Sequence, residues 1–340
     1  MNEKINIGVI GLGHWGPNHI RVFNNFHDTK VLAVSDINPE CLRRAADLFP
    51  SIQIESDYKN ILKCKDIHAV IIATPTSTHS QLTKEAILAG KHVLCEKPLC
   101  QSSKQASELI KLSKERKIIL MIGYIFLYNS GIKKIKTLLD EGDFGDIYYL
   151  SSTRTNLGPV RKDVNAAIDL AVHDISIFNW LLESVPYYVS AHGASYLQSG
   201  IQDVVFINLR YPNNVLANIE VSWLNPKKAR QMTLVANKKM LTWDDLNLNS
   251  PVAIYDKGAN VVSTSADYGN FLHISMWEGD VRLPKVEVEE PLKSQNYHFI
   301  QSIKSKEPVF WEDKFTYGVT KVLESINRSL NEYGKLVEIA

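Results

Sequence analysis

The sequence has little of what marks a secreted, metal-bound or membrane protein. Its 340 residues hold four cysteines, Cys41, Cys64, Cys95 and Cys100, with no C-x-x-C and no spacing that suits zinc. Three of them fall in helix or strand patterns, so packed, reduced thiols in a cytoplasmic protein are expected. No apolar run reaches the roughly 20 residues that a membrane-spanning helix needs. MNEKINIGVIGLG at the start reads as a strand and turn rather than a signal peptide. Neither sign of charge is in excess: 38 Lys and Arg against 37 Asp and Glu leave a net charge of +1. That balance gives no global electrostatic reason to expect nucleic acid or an anionic membrane as partner. Repeats, low-complexity tracts and an evident linker are also missing, so a domain boundary has to be a tight crossover.

What is present is an ordinary globular composition, 45% hydrophobic and 22% charged, in a chain long enough for two domains with sizeable cores. Residues 1–123 alternate apolar strands, at 5–10, 30–36, 67–73, 92–96 and 118–122, with helical patterns of ten to fifteen residues. That alternation predicts α/β architecture: a doubly wound parallel sheet covered on both faces. From 124 to 340 the pattern changes. Helices at 131–141 and about 168–183 flank a strand at 146–155, and long alternating strands follow at 204–212, 214–224, 230–236 and 239–245. Helices at about 294–305 and 313–333 close the chain and are free to pack back on the first domain. This predicts an α+β second domain with a large, mostly antiparallel open sheet. Its bare face needs a cover, so a homodimer or homotetramer through this sheet is expected.

The first strand runs directly into Gly11-Leu12-Gly13-His14-Trp15-Gly16, a full G-x-G-x-x-G, and Pro17 opens a helix. In that context the first glycine makes the tight turn, the second admits a pyrophosphate and the third lets helix and strand pack closely. The helix start then offers unpaired N–H groups to phosphates. Asp36 ends the second strand 20 residues after Gly16, where a carboxylate bonds the adenosine ribose hydroxyls and repels a 2′-phosphate. The expected cofactor is therefore NAD, held by Gly11, Gly13, His14, Trp15, Gly16, Asp36 and Ile37. In a doubly wound sheet, ligands lie outside the carboxyl ends of the strands. Thr74, Pro75 and His79 of the ATPTSTH stretch and Glu96-Lys97-Pro98 are predicted to line the same crevice, with Lys97 near the nicotinamide. No motif calls for a metal.

GVIGLGHWG, Asp36, ATPTSTH, CEKP and a later Asp169-x-x-x-His173, in that order, resemble the Gfo/Idh/MocA oxidoreductases over essentially the whole chain. The resemblance implies a Rossmann domain followed by an α/β domain whose open sheet pairs with another subunit. It also implies oxidation or reduction of a ring carbinol of a sugar or cyclitol. Lys97 matches the family's catalytic or orienting lysine, in a Lys–Pro peptide that is usually cis in relatives. Asp169 and His173 match its second signature, and at i and i+4 on a helix both project from one face. Ala171 stands where relatives often carry glycine. The arginine that many relatives carry has no counterpart in Gly123–Asn129, where Tyr124, Tyr128 and Asn129 stand instead, with Tyr124 the expected substrate contact.

The segment 151–166, SSTRTNLGPVRKDVNA, holds Arg154, Asn156, Arg161 and Asn165. Two arginines at a cleft edge suit a diphosphate, and an exposed basic loop is the equal alternative. With VSWLNPKKARQMTLV, this stretch resembles a subgroup acting at C3 of nucleotide-activated amino sugars. The implied substrate is UDP-N-acetylglucosamine or its uronate, and the implied consumer of the ketone is an aminotransferase. A free sugar or cyclitol enzyme and a non-catalytic NAD-binding regulator are the alternatives. Histidine is neutral near its ordinary value of about 6.5, so His173 is the expected base. Lys97 would hold or share the proton, with Asp169 orienting the substrate.

Overall fold

Short runs of Val, Ile and Leu, each followed by a helix, build the first sheet. It comprises β1 (Ile5–Ile10), β2 (Thr29–Ser35), β3 (Gln53–Glu55), β4 (Ala69–Ile72), β5 (His92–Cys95) and β6 (Leu120–Ile122). The order is β3-β2-β1-β4-β5-β6 and every pair is parallel. The helices α1 (Gly16–Asn24), α2 (Pro39–Leu48), α3 (Tyr58–Lys63), α4 (Thr76–Leu88) and α5 (Ser103–Glu115) alternate with the strands. Ile7, Val9, Ile71, Val93 and Leu94 are buried, as expected of strands covered on both faces. β3 and α3 are short elements that hydrophobic periodicity did not announce. The winding reverses between β1 and β4, so their carboxyl ends and that of β5 form one edge, where this architecture binds ligands. The computed structural model describes residues 4–265, 271–307 and 314–339.

A second sheet follows α6 (Ser130–Asp140), whose first amides, Gly131 and Ile132, donate to the Asn129 side chain. β7 (Ile147–Leu157) leads to a π-helical turn at Ala167–Ala171 and then to α7 (Val172–Leu181). The remaining strands are β8 (Tyr188–Ala194), β9 (Val204–Arg210), β10 (Leu216–Ser222), β11 (Leu224–Ala236), β12 (Met240–Asp244), β13 (Val252–Ser265) and β14 (Phe271–Arg282). The order is β14-β13-β12-β11-β7-β10-β9-β8-β15, where β15 is Val337–Glu338. β7 and β10 run parallel, and the other pairs are antiparallel. Alternation is strict in β9 and holds in β10 as far as Val221. Val205, Ile207, Leu209, Ile219 and Val221 are buried, while Phe206 and Leu216 on the opposite face are exposed.

The closing helices are α8 (Pro291–Ser305) and α9 (Lys314–Asn331); Asp313, the first residue expected in α9, lies outside the described residues. The chain divides into two units, Met1–Tyr128 with Glu290–Glu324, and Asn129–Glu289 with Ser325–Ala340. α8 therefore belongs to the nucleotide-fold unit, and the boundary falls inside α9. Among the described residues, no helix is long and apolar enough to cross a membrane.

Candidate functional site

The glycine turn has the geometry that its sequence demands. Gly11 has φ +96°, and a Cβ there would sit 2.5 Å from the Ala73 carbonyl oxygen. At Gly16 a Cβ would lie 2.1 Å from the Gly11 carbonyl oxygen, so α1 could not start so close to β1 with any other residue. Gly13 is exposed, and among the described residues a Cβ on it would meet nothing within 4 Å beyond its chain neighbours, which leaves the outer side of the turn bare. Asp36 closes this arrangement. Its Oδ2 accepts from the Leu12 amide at 2.6 Å and its Oδ1 from the Asn38 amide at 2.8 Å. Ile37 beside it is 93% exposed. His14 is exposed and meets the Trp15 ring edge-on, with centroids 5.4 Å apart.

The ends of β4 and β5 are joined by side chains. Thr74 and Thr78 share a hydroxyl contact of 2.7 Å, and Thr78 donates to the Pro75 carbonyl at 2.8 Å. Pro75 is exposed at the helix start. Sequence reasoning places His79 on the cofactor, and the structure corrects this. The ring is buried, with Nδ1 2.7 Å from the Pro98 carbonyl oxygen and Nε2 2.9 Å from that of Thr74. Both nitrogens are spent on backbone. Glu96 faces His19 of α1, Oε1 to Nε2 at 3.0 Å, and the Asn296 amide of α8 reaches His19 Nδ1 at 3.1 Å. Burial raises the Glu96 carboxyl, but the His19 hydrogen bond and charge, with Lys97 and His79, outweigh it and hold the group below the usual carboxylate range. Lys97 follows, half-buried, in a cis Lys97–Pro98 peptide.

In the second unit, Asp169 lies on the π-helical turn and His173 on the first turn of α7. Each Asp169 oxygen has its own donor: Arg161 Nη1 to Oδ1 at 3.3 Å and Trp223 Nε1 to Oδ2 at 3.2 Å. Guanidinium and indole are donors only, so the pair favours an ionised, accepting Asp169. His173 is buried, and its carbonyl accepts from Ser176 Oγ at 2.7 Å.

Of the expected substrate residues, the structure buries Arg154 and Tyr124 and gives Arg161, Asn165 and Asn156 protein partners. Arg154 lies in β7, within the strand expected at 146–155, but it is buried there and binds Asp174 through two bonds of 2.7 and 3.1 Å. A guanidinium sealed in that way is not available to a diphosphate. Arg161 is more open but is engaged by Asp163, at 2.9 and 2.8 Å, as well as by Asp169. Burial disfavours its charge, but the two carboxylates more than offset that and push the guanidinium above its ordinary value. Asn165 accepts from Ile168 N and donates to Gln202 and Asn327. Asn156 donates to the Gly158 carbonyl. Tyr124 is fully buried, edge-on to Phe315; the chain turns inward after β6, so the phenol sits in the core of the first unit.

Sequence reasoning missed His19, Asn296, Asp163 and Trp223. His19 and Trp223 stand 77 and 54 residues from their partners, and no local pattern links such positions. Asp174 was within reach: an acid inside the apolar run V-H-D-I-S-I-F needs a buried cation.

The residues present fit NAD: a bare glycine turn, the open start of α1 and an acid fixed at the end of β2. Residues 5–124 match the model of the oxidoreductase family with an NAD-binding Rossmann fold, and residues 132–242 match the Gfo/Idh/MocA C-terminal domain. An uncharacterized oxidoreductase of Bacillus subtilis (strain 168) is 31% identical over 65% of this chain and 68% of its own. An inositol 2-dehydrogenase of Gluconacetobacter diazotrophicus is 33% identical over 55% of this chain and 56% of its own. A UDP-N-acetylglucosamine 3-dehydrogenase of Acidithiobacillus ferrooxidans is 29% identical over 75% of this chain and 78% of its own. Among solved structures, GenD2 from gentamicin A biosynthesis, in complex with NAD, superposes with a TM-score of 0.82 at 21% identity, covering 99% of this chain and 96% of its own. With both halves matched in order, the chain belongs to the Gfo/Idh/MocA family of NAD-binding oxidoreductases.

Proposed function

We propose that the chain oxidises the C3 hydroxyl of UDP-N-acetylglucosamine to the ketone, a step toward 3-amino sugars of surface glycans. The observation that carries this reading is the extent of likeness to the Acidithiobacillus enzyme, 75% of the chain against 55% to 64% for inositol dehydrogenases. NAD, when bound, supplies the hydride acceptor. The glycine turn and the start of α1 hold its pyrophosphate, and Asp36 holds its ribose. The hydroxyl proton is assigned to His173, with Lys97 holding or sharing it. Asp169, supplied with donors by Arg161 and Trp223, accepts from the substrate and orients it. The ketone then suits an aminotransferase. A homo-oligomer through the second sheet belongs to the same reading: Tyr149, Phe206 and Leu216 are exposed on one face, and sedimentation would detect it.

A second reading, oxidation of a free sugar or cyclitol, is favoured by the engagement of Arg154 and Arg161 with carboxylates. UDP-N-acetylglucosaminuronate remains the neighbouring substrate. A non-catalytic regulator would have no use for Lys97, Asp169 and His173 together. The test is reduced-nicotinamide absorbance on mixing protein and NAD with UDP-N-acetylglucosamine, its uronate and myo-inositol separately, with a ketone trap present. Signal with the first alone supports the proposal. Signal with only one of the others overturns the substrate and keeps the chemistry, and silence with all three despite NAD binding overturns the substrate in favour of another sugar or of the regulator.

A further inference from the structure

We propose that His79 is a positioning residue of the NAD crevice that works as an imidazolium, donating from both ring nitrogens to the Thr74 and Pro98 carbonyls. The argument rests on donors and acceptors. Nδ1 lies 2.7 Å from the Pro98 oxygen and Nε2 2.9 Å from the Thr74 oxygen. A carbonyl only accepts, and a neutral imidazole carries one N–H. The Pro98 contact is buried and the Thr74 contact part-buried. A neutral ring, in a residue that is 1% exposed, would set a nitrogen lone pair against one of those oxygens and leave that carbonyl without the ring's N–H. The protonated ring satisfies both.

Thr74 follows β4 and Pro98 closes the Glu96-Lys97-Pro98 turn after β5, so the ring ties together two of the three loops on the ligand-binding edge. β4 itself brings no titratable side chain to His79. β5 and its turn bring the Cys95 and Cys100 thiols, Glu96 and Lys97, with His19 beyond Glu96. The charged groups between α4 and α5, Lys84 and Glu108, line an outer groove with Ser80 and Gln81. By helical angle, that groove is on the far side of α4 from His79. Glu96 is thus the carboxylate placed to balance the ring's charge. The role is independent of the substrate, because it concerns NAD alone.

The first test is a long-range proton–nitrogen correlation spectrum of 15N-labelled protein at pH 8. One ring should show both nitrogens in the protonated range, and that signal should vanish in His79→Gln. If all ten histidines show the split pattern of a neutral ring, the proposal is overturned without any variant. The second test is NAD affinity by titration calorimetry. His79→Leu loses both donors and should bind NAD about tenfold or more weakly, as expected for loss of a charge-assisted bond. His79→Gln keeps an NH₂ with two donors and should fall closer to wild type. Unchanged affinity in His79→Leu overturns the positioning role. Should that variant not fold, the wild-type pH series decides: NAD affinity should fall as the imidazolium signal disappears, and a flat affinity across that transition overturns the proposal.

Discussion

Arg154 on β7 and Asp174 on α7 form a two-point ion pair whose side chains are 4% and 2% exposed. Removing one partner strands the other charge in the core, which costs about 3–5 kcal/mol, whereas apolar replacement of both can be nearly neutral. Arg154→Met and Asp174→Asn should each lower the urea midpoint by that order of stability. Arg154→Met with Asp174→Leu should lose far less than the sum of the single losses. Strictly additive losses would mean that the two residues are not energetically coupled.

Lys97→Ala should bind NAD as the wild type does and lose turnover by roughly 10²–10⁴-fold, the range of a lost proton-transfer group. Calorimetry and initial rates separate the two effects. Near-normal turnover would remove Lys97 from the chemistry.

Asp36→Ala should weaken NAD and narrow its preference over NADP. Because the carboxylate also accepts from the Leu12 and Asn38 amides, the loss should exceed that of the ribose contact alone. Asp36→Asn keeps one acceptor oxygen and should lie in between. Affinities for both dinucleotides in the three proteins give the comparison, and an unchanged cofactor ratio would argue against the assignment.

Arg161→Ala removes one donor from Asp169 rather than a ligand from a diphosphate. Turnover should therefore fall with every substrate the enzyme accepts, including any free sugar. A rise in KM confined to UDP-sugars would restore the diphosphate role.

Acidification should act through Glu96. Its carboxyl is held below the usual carboxylate range despite burial, so on the way down in pH the unfolded chain takes up this proton first. Stability from this group is present above the ordinary carboxyl range and is lost as pH falls through the folded-state value. His19→Phe removes the 3.0 Å partner and should move the acid limb of a thermal-melting profile to higher pH. Superimposable limbs would show that the contact does not set the proton affinity.

The parts of this molecule that could be read from sequence are those where a local pattern has one physical solution. Continuous Val/Ile/Leu runs before helices leave only a parallel sheet, and Gly11 and Gly16 stand where a side chain would strike backbone. Hydrophobic spacing could not distinguish the π-helical turn at Ala167–Ala171 from the α-helix expected there. The substrate residues fared worst, because type and spacing do not say which way a side chain points. Arg154 alternates inward along β7 and Arg161 lies beside two acids. His79 belongs to the ATPTSTH motif for the carbonyls it braces, a use that the letters alone do not distinguish from touching a ligand.

The division of the chain has a consequence for its birth on the ribosome. The nucleotide-fold unit is assembled from Met1–Tyr128 and Glu290–Glu324, and Asn296 of α8 supplies the amide behind His19 and Glu96. The first 128 residues thus emerge long before the helices that complete their unit, with the intervening unit synthesised in between. Until α8 and the start of α9 appear, the surface they will cover stays exposed, a state prone to aggregation. Competence to bind the cofactor should accordingly arise late in synthesis, and a chain terminated in the second sheet should be a client for chaperones rather than a smaller working protein.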